Sequence, residues 1–327
     1  MALACFKSAA EASIPEAYCS LGYMTRNGLG CDKDLVLAAE YYMQAKTKEG
    51  SVNFESIVKS MSADDKATLG LKIKNNQSVI KDPKIAFELF QTAAETGHGP
   101  SLNHLGNCYM KGYGVEKNEA EALKNFTLAA DGGYAGAHIN LGIFHAKGAL
   151  GFKVDNQKAI VCFEKAIELG RNDGYYFLGL VYERLDTKKA QECHEKGVSF
   201  NEPKSIFELA QFKKSGTAGD VDLEGAFELF KKAAAAGIHQ AHLFLGEMYY
   251  SGKGAPKSET QAFKHYFIAA KQNDDTAQYV LGILYEYGEG IPKDIDIALK
   301  YYDLSAKQGN NLAMGAAKKL RELSNQI

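Results

Sequence analysis

The stretch from Ala277 to Gly309, AQYVLGILYEYGEGIPKDIDIALKYYDLSAKQG, rewrites the stretch from Ala241 to Asn273, AHLFLGEMYYSGKGAPKSETQAFKHYFIAAKQN, thirty-six residues upstream. Both keep an Ala, a Leu-Gly pair, a Tyr, a loop of the form Gly-x-Gly-x-Pro-Lys, and then an Ala, an aromatic four residues on and a second Ala. A unit of this length that recurs cannot bury its apolar stripes alone and must stack on its neighbours. Taking the Leu and the second-half Ala as anchors, the series runs Ala2, Leu21, Ala38, Leu69, Ala86, Leu105, Ala122, Leu141, Ala159, Leu178, Ala190, Leu209, Ala226, Leu245, Ala262, Leu281, Ala298 and Ala317. Ala-to-Leu steps are 19 residues except Ala38 to Leu69, which is 31; Leu-to-Ala steps are 17 except Leu141 to Ala159, 18, and Leu178 to Ala190, 12.

Each half-unit carries a helical stripe. Ala277, Leu281, Leu284 and Tyr285 recur at three- and four-residue intervals, as do Ala298, Tyr301, Tyr302 and Ser305. The intervening Gly288–Pro292 segment holds helix breakers and leads to Asp294, an expected N-cap, and Gly309 suits a left-handed C-terminal cap. The glycines at 22, 70, 106, 142, 179, 246 and 282 predict close helix approach, with Phe6, Tyr42, Phe90, Phe126, Phe163, Phe230, Tyr266 and Tyr302 filling the remaining space. Replacing Gly282 by leucine is therefore expected to cost more than the same change at Gly290 in the loop.

The pattern predicts one repeat array over 1–327: a half-repeat helix at 1–13; repeats at 14–50, 65–98, 101–134, 137–171, 174–200, 205–238, 241–274 and 277–310; an insert at 51–64; and a capping helix at 311–327. The insert, containing VNFESIVKSM, is expected to lengthen a helix or cap one side. Asn76, Gln77 and Ser78 replace Gly-x-Gly in the second repeat, so its loop should take another shape. In the fifth repeat five residues are missing and His194 takes the aromatic position, which suggests a bend near 185–200. The first thirteen residues form a second-half helix without its first half, as a start inside a longer chain or a missing upstream region would leave it.

Charge nearly cancels over the 327 residues, 38 basic against 40 acidic, so neither nucleic acid nor direct membrane insertion is expected. Six cysteines fall at unrelated repeat positions and read as reduced thiols of a cytoplasmic chain. Gly112-Tyr113-Gly114, Gly252-Lys253-Gly254 and Gly288-Glu289-Gly290 follow a helix rather than a strand, which argues against phosphate loops. His239 with His242, and His138 with His145, lack carboxylate or Cys partners at ligand spacing, so no metal is expected. His145 holds the repeat's Tyr position and reads as a packed, hydrogen-bonded side chain. No cofactor and no catalytic constellation are expected, and the chain reads as not an enzyme.

The pattern Ala-x-x-x-Leu-Gly-x-x-Tyr-x-x-Gly-x-Gly-(Val/Ile/Ala)-Pro-Lys-(Asp/Ser), followed by Ala-x-x-x-aromatic-x-x-Ala-Ala-x-x-Gly, resembles the Sel-1-like repeat, a relative of the tetratricopeptide repeat. The resemblance implies an all-α fold, a right-handed α/α superhelical solenoid of about eight helix-loop-helix repeats. It further implies a scaffold or adaptor that binds a protein or peptide, with the first helices lining a concave groove.

Counted from each Leu anchor, the groove positions are two before, one before, two after and five after. These give Asn103, His104, Asn107 and Met110; Ile139, Asn140, Ile143 and Ala146; Tyr176, Phe177, Leu180 and Glu183; Leu243, Phe244, Glu247 and Tyr250; and Tyr279, Val280, Ile283 and Glu286. The candidate protein-binding residues are Asn103, His104, Asn107, Asn140, Tyr176, Glu247, Tyr250, Tyr279 and Glu286. Asn107 and Asn140 stand where peptide-binding tetratricopeptide arrays hold a peptide backbone with amides, and an amide supplies donor and acceptor together. Asn103, Asp173 and Phe177 stand where carboxylate clamps carry Lys and Arg, so a free C-terminal carboxylate is not the expected ligand. The aromatic and acidic residues of the later repeats suit a basic or helical segment, unless several of them pack within the array. Two further readings stay open: the interaction region of a larger enzyme such as a protein kinase or a ubiquitin-ligase complex, and self-association through the uncapped N-terminal helix.

Overall fold

The computed structural model describes residues 2–324; Met1 of the expected half-repeat helix and residues 325–327 of the expected capping helix lie outside the described residues. The described residues form nineteen α-helices and no strand. By contact the chain divides into two compact units, residues 1–171 and 172–327.

The first unit holds α1 (Ala2–Glu11), α2 (Pro15–Asn27), α3 (Leu35–Gln44), α4 (Lys48–Ser60), α5 (Ala63–Lys74), α6 (Pro83–Ala94), α7 (Gly99–Lys111), α8 (Glu119–Asp131), α9 (Ala135–Lys147) and α10 (Asn156–Glu168). The second holds α11 (Gly174–Tyr182), α12 (Thr187–Ser199), α13 (Pro203–Ser215), α14 (Leu223–Ala235), α15 (Gln240–Ser251), α16 (Glu259–Lys271), α17 (Asp275–Tyr287), α18 (Ile295–Lys307) and α19 (Asn311–Ser324). Within each unit most neighbours in sequence are neighbours in space, and first helices also meet the next first helix, as α7 meets α9 and α11 meets α13. That is the near-neighbour packing of a solenoid.

Local chemistry fixes the helix ends. Asp34, Asp82, Asn118, Asp155, Asp186, Asp222, Ser258 and Asp294 each accept a hydrogen bond from a backbone N–H of the second helix they open. These side chains satisfy N–H groups that the first turn leaves without an intrahelical partner. Gly309 takes φ +95°, the left-handed conformation expected of it. Loops are pinned by the N-cap N–H donating back to the first helix, as Asp294 does to the Tyr285 carbonyl at 2.9 Å.

The repeat glycines have a sharper role than general closeness. A Cβ on Gly70 would lie 2.8 Å from the Phe90 ring, on Gly142 2.5 Å from Phe163, and on Gly246 2.8 Å from Tyr266; on Gly282 it would strike Tyr302. A first helix with this glycine thus presents a notch that receives the aromatic of its own second helix; α13, with Ala210, is the exception. Phe90, Phe126, Phe163, Phe230 and Tyr302 are among the largest fully buried side chains. Gly179 makes the same notch for the His194 ring, which is why a histidine can stand in the aromatic position.

Three expectations change. The insert does not lengthen a helix: Thr47 accepts from Gly50 N at 3.0 Å and starts α4, a separate helix that packs on α3 and buries Ile57. In the second repeat Asn76 takes φ +58°, so its loop keeps the left-handed turn that Gly112 supplies in the third. The shape departs at Ser78, whose buried hydroxyl accepts from Ile80 N. Gly290 is also more confined than a surface loop residue: φ is +73° and a Cβ would lie 2.7 Å from the Glu259 backbone.

Candidate functional site

The residues that sequence spacing assigns to the groove are split between the two units. In the first, Asn103, His104, Asn107 and Asn140 come together on α7 and α9. The Asn140 amide donates to Asn103 Oδ1 at 2.7 Å, and the Asn107 amide donates to the Asn103 backbone carbonyl at 2.9 Å. Asn103 is buried. The Asn140–Asn103 bond therefore ties α9 to α7, while the Asn107 bond stays within α7, and the Oδ1 atoms of Asn107 and Asn140 remain as acceptors.

His104 sits in the seam between repeats, its ring 5.1 Å from Phe90, with a buried Nδ1 that has no partner among the described residues. Burial, aided by the Lys74 ammonium, lowers its pKa to about 4. The position one before the Leu anchor thus meets the preceding repeat's aromatic. Phe244 repeats the arrangement, stacked on Phe230 at 4.9 Å with ring planes 9° apart.

In the second unit, Tyr176, Glu247, Tyr250, Tyr279 and Glu286 stand on α11, α15 and α17. Lys204 lies over the Tyr176 ring at 5.2 Å. Glu247 accepts from Lys214 at 2.6 Å, Glu286 from the Tyr302 hydroxyl at 2.6 Å, and Tyr250 donates to Glu289 at 2.6 Å. Tyr279 packs 5.8 Å from the Tyr302 ring. The two expected carboxylates are accordingly already engaged.

A cavity of about 520 Å³ opens on the same helix face, lined by Glu183, Glu208, Gln211, Lys214 and Phe244 among others. Glu208, Gln211 and Lys214 hold groove positions one before, two after and five after Leu209, in a repeat whose groove residues sequence reasoning left out. Burial raises the Glu208 pKa, and the Glu183 carboxylate raises it further. The anchor rule, applied to Leu209 as to the others, would have found this site.

Other chemistry on the surface resolves into packing. Asp64, His98 and Ser101 align, with His98 Nε2 3.1 Å from Asp64 Oδ1 and Nδ1 2.8 Å from Ser101 Oγ. Ser101 is fully buried, so no substrate reaches its hydroxyl; the trio links the start of α5 to the start of α7. His145 is packed as expected, stacked on Phe152 at 4.1 Å, yet its Nδ1 has no hydrogen-bond partner among the described residues. His242 and His265 pair through their Nδ1 atoms at 2.9 Å. Among the described residues no cluster of three or more His, Cys, Asp or Glu has metal-binding geometry, and no helix is long and apolar enough to cross a membrane.

Burial, with the His242 charge opposing a second proton, lowers the His265 pKa to about 4. His104 and His265 are thus neutral when folded but take up protons near pH 6.5 when unfolded. The unfolded chain binds more protons between those values, so stability is full above pH 6.5 and falls as pH drops toward 4. Urea unfolding at pH 7.5 and 5 should show a loss of about 1–2 kcal/mol for each histidine. His104→Phe and His265→Phe together should flatten that slope; an unchanged slope would contradict this assignment.

The chain belongs to the Sel1 repeat family, whose model matches residues 15–48, 74–98, 99–134, 135–170, 203–238, 239–274 and 275–310. The unmatched segments contain the α4 insert and the shortened α11–α12 repeat. The fold is similar to that of c5321, a protective antigen of uropathogenic Escherichia coli, with TM-score 0.68 and 23% identity over 98% of this chain and 75% of that one. A Sel1 repeat protein from Oxalobacter formigenes gives TM-score 0.66 and 22% identity over 96% of this chain and 89% of that one. Chitin synthase regulatory factor 2 of Schizosaccharomyces pombe is 26% identical over 52% of this chain and 29% of its own length. Chitin synthase regulator SKT5 of Saccharomyces cerevisiae is 28% identical over 57% of this chain and 34% of its own length. The chain spans about a third of the length of the curated relatives it matches.

Proposed function

We propose that this chain is a non-catalytic protein-interaction scaffold, acting in the cytoplasm, that holds a peptide or protein segment on the groove face of its first helices. The observation that carries the reading is the convergence of same-register side chains from successive first helices, Glu208, Gln211 and Lys214 of α13 with Phe244 of α15, around one cavity. A repeated register suits an extended or helical ligand, because each unit offers it equivalent contacts. Within the second unit Tyr176, Glu247, Tyr250, Tyr279 and Glu286 are the remaining contacts of this reading; within the first, Asn107 and Asn140 are its contacts, with Asn103 and His104 supporting those two from behind.

A second reading is that the chain serves as the interaction region of a larger regulatory or signalling assembly. Relatives named as chitin synthase regulators, each about three times longer than the matched part, favour it.

Affinity capture with the whole chain tests the scaffold reading. Asn107→Ala with Asn140→Ala should lose the partner, while stability falls by only about 1–2 kcal/mol for the hydrogen bond that Asn103 gives up. A partner retained at full strength by the double variant would remove these asparagines from the site.

A further inference from the structure

We infer that the cavity between α11, α13 and α15 is the receptor for one basic side chain of a bound segment, arginine fitting best, with Glu183 and Glu208 as its acceptors. The inference rests on the groove reading and names the chemistry of its ligand at one point. Groove positions of the second unit carry four carboxylates, Glu183, Glu208, Glu247 and Glu286, against one lysine, Lys214. The charge of the surface therefore calls for a cationic partner.

The chain itself displays how this face holds a cation. Lys214 Nζ lies 4.7 Å from the Phe244 ring centre and 2.6 Å from Glu247 Oε2, an ammonium held between an aromatic face and a carboxylate. Lys204 stands over both Tyr176 and Phe177, at 5.2 and 5.8 Å. Glu183 and Glu208 are the carboxylates left over. Glu183 faces His194 Nε2 at 3.3 Å and Glu208 accepts from Gln211 at 3.0 Å, but among the described residues neither pairs with a lysine or arginine.

Glu208 is half-buried beside Glu183, so the two carboxylates oppose each other's charge until a cation arrives. A guanidinium is planar and presents several donors in a fixed fork, so it can bridge two carboxylates where an ammonium meets them as a point charge. Phe212 supplies an apolar wall for the methylene stem. The cavity, about 520 Å³, has room for it.

The test uses two fluorescein-labelled nonapeptides, one alternating leucine with arginine and one alternating leucine with glutamate, titrated into the whole chain. The arginine peptide should bind in a salt-dependent way and at least tenfold more tightly than the glutamate peptide. Glu208→Gln and Glu183→Gln should each weaken it tenfold or more, while Glu208→Asp retains part of the affinity and Leu304→Gln, on the exposed side of a second helix, retains all of it. In a carbon-13 titration the Glu208 carboxyl should ionise at lower pH when the arginine peptide is bound. Equal binding of both peptides, no binding of either, or wild-type affinity in both glutamine variants would overturn the inference. The scaffold reading is judged separately, by whether a captured cellular partner survives the asparagine variants.

Discussion

Gly282→Leu is expected to lower stability by about 3 kcal/mol or more, because the new side chain must occupy the space of the Tyr302 ring. Tyr302 is 1% exposed and its hydroxyl donates to Glu286, so the ring has no vacancy to move into without breaking that bond. Two further glycines calibrate the result. Gly290→Ala should cost about 1–3 kcal/mol, from the left-handed backbone and the nearby Glu259 carbonyl group. Gly315→Ala in α19, where nothing lies within 4 Å of the new methyl, should be neutral or stabilising by about 0.5–1 kcal/mol. Urea denaturation of the three variants measures all of this, and a Gly282 variant no weaker than the Gly315 one would refute the notch.

Phe230→Ala should cost about 3–5 kcal/mol, the range for emptying a fully buried aromatic site. The ring is stacked on Phe244 at 4.9 Å and lies 5.8 Å from Phe207, two residues that the anchor rule places on the groove. Loss of Phe230 should therefore reach the binding face as well as the core. Phe230→Leu, which keeps most of the volume, should cost less than half as much by the same denaturation measurement. Equal losses for the two would mean that ring stacking, rather than filled volume, dominates the site.

The fold was legible because each helix hairpin repeats its own instructions. A Leu-to-Ala step of 17 residues fixes two helices and their loop, and Asp294 and Gly309 mark ends by chemistry that is local to the backbone. Insertions carry no such copy to compare against. Residues 51–64 were readable as amphipathic, but the start of α4 depends on Thr47, which lies inside the stretch assigned to the preceding repeat. Asn76 was read as a departure from glycine, although asparagine is the residue that most readily takes the same left-handed turn.

The candidate site was legible in register and less so in availability. Spacing places His104 on the groove helix, but whether its ring faces a ligand or Phe90 depends on how the next repeat is set down, a contact between residues fourteen apart in sequence. The Asn140 amide is likewise committed by Asn103, thirty-seven residues away. Glu208 escaped notice because its repeat keeps the Leu anchor but has Ala210 in place of the usual glycine. Pairings of this kind are set by tertiary packing, and no single hairpin encodes them.

The most direct test of the groove is photo-crosslinking to the captured partner from benzoylphenylalanine placed at defined sites. Gln211, Ile283 and Glu247 stand at groove positions of first helices, whereas Ile268 and Leu304 are exposed on second helices of the same unit at 38% and 45%. Crosslinks from the first set alone are the predicted result. Crosslinks from the second-helix set, with none from Gln211, Glu247 or Ile283, would place the partner on the opposite face and contradict the account.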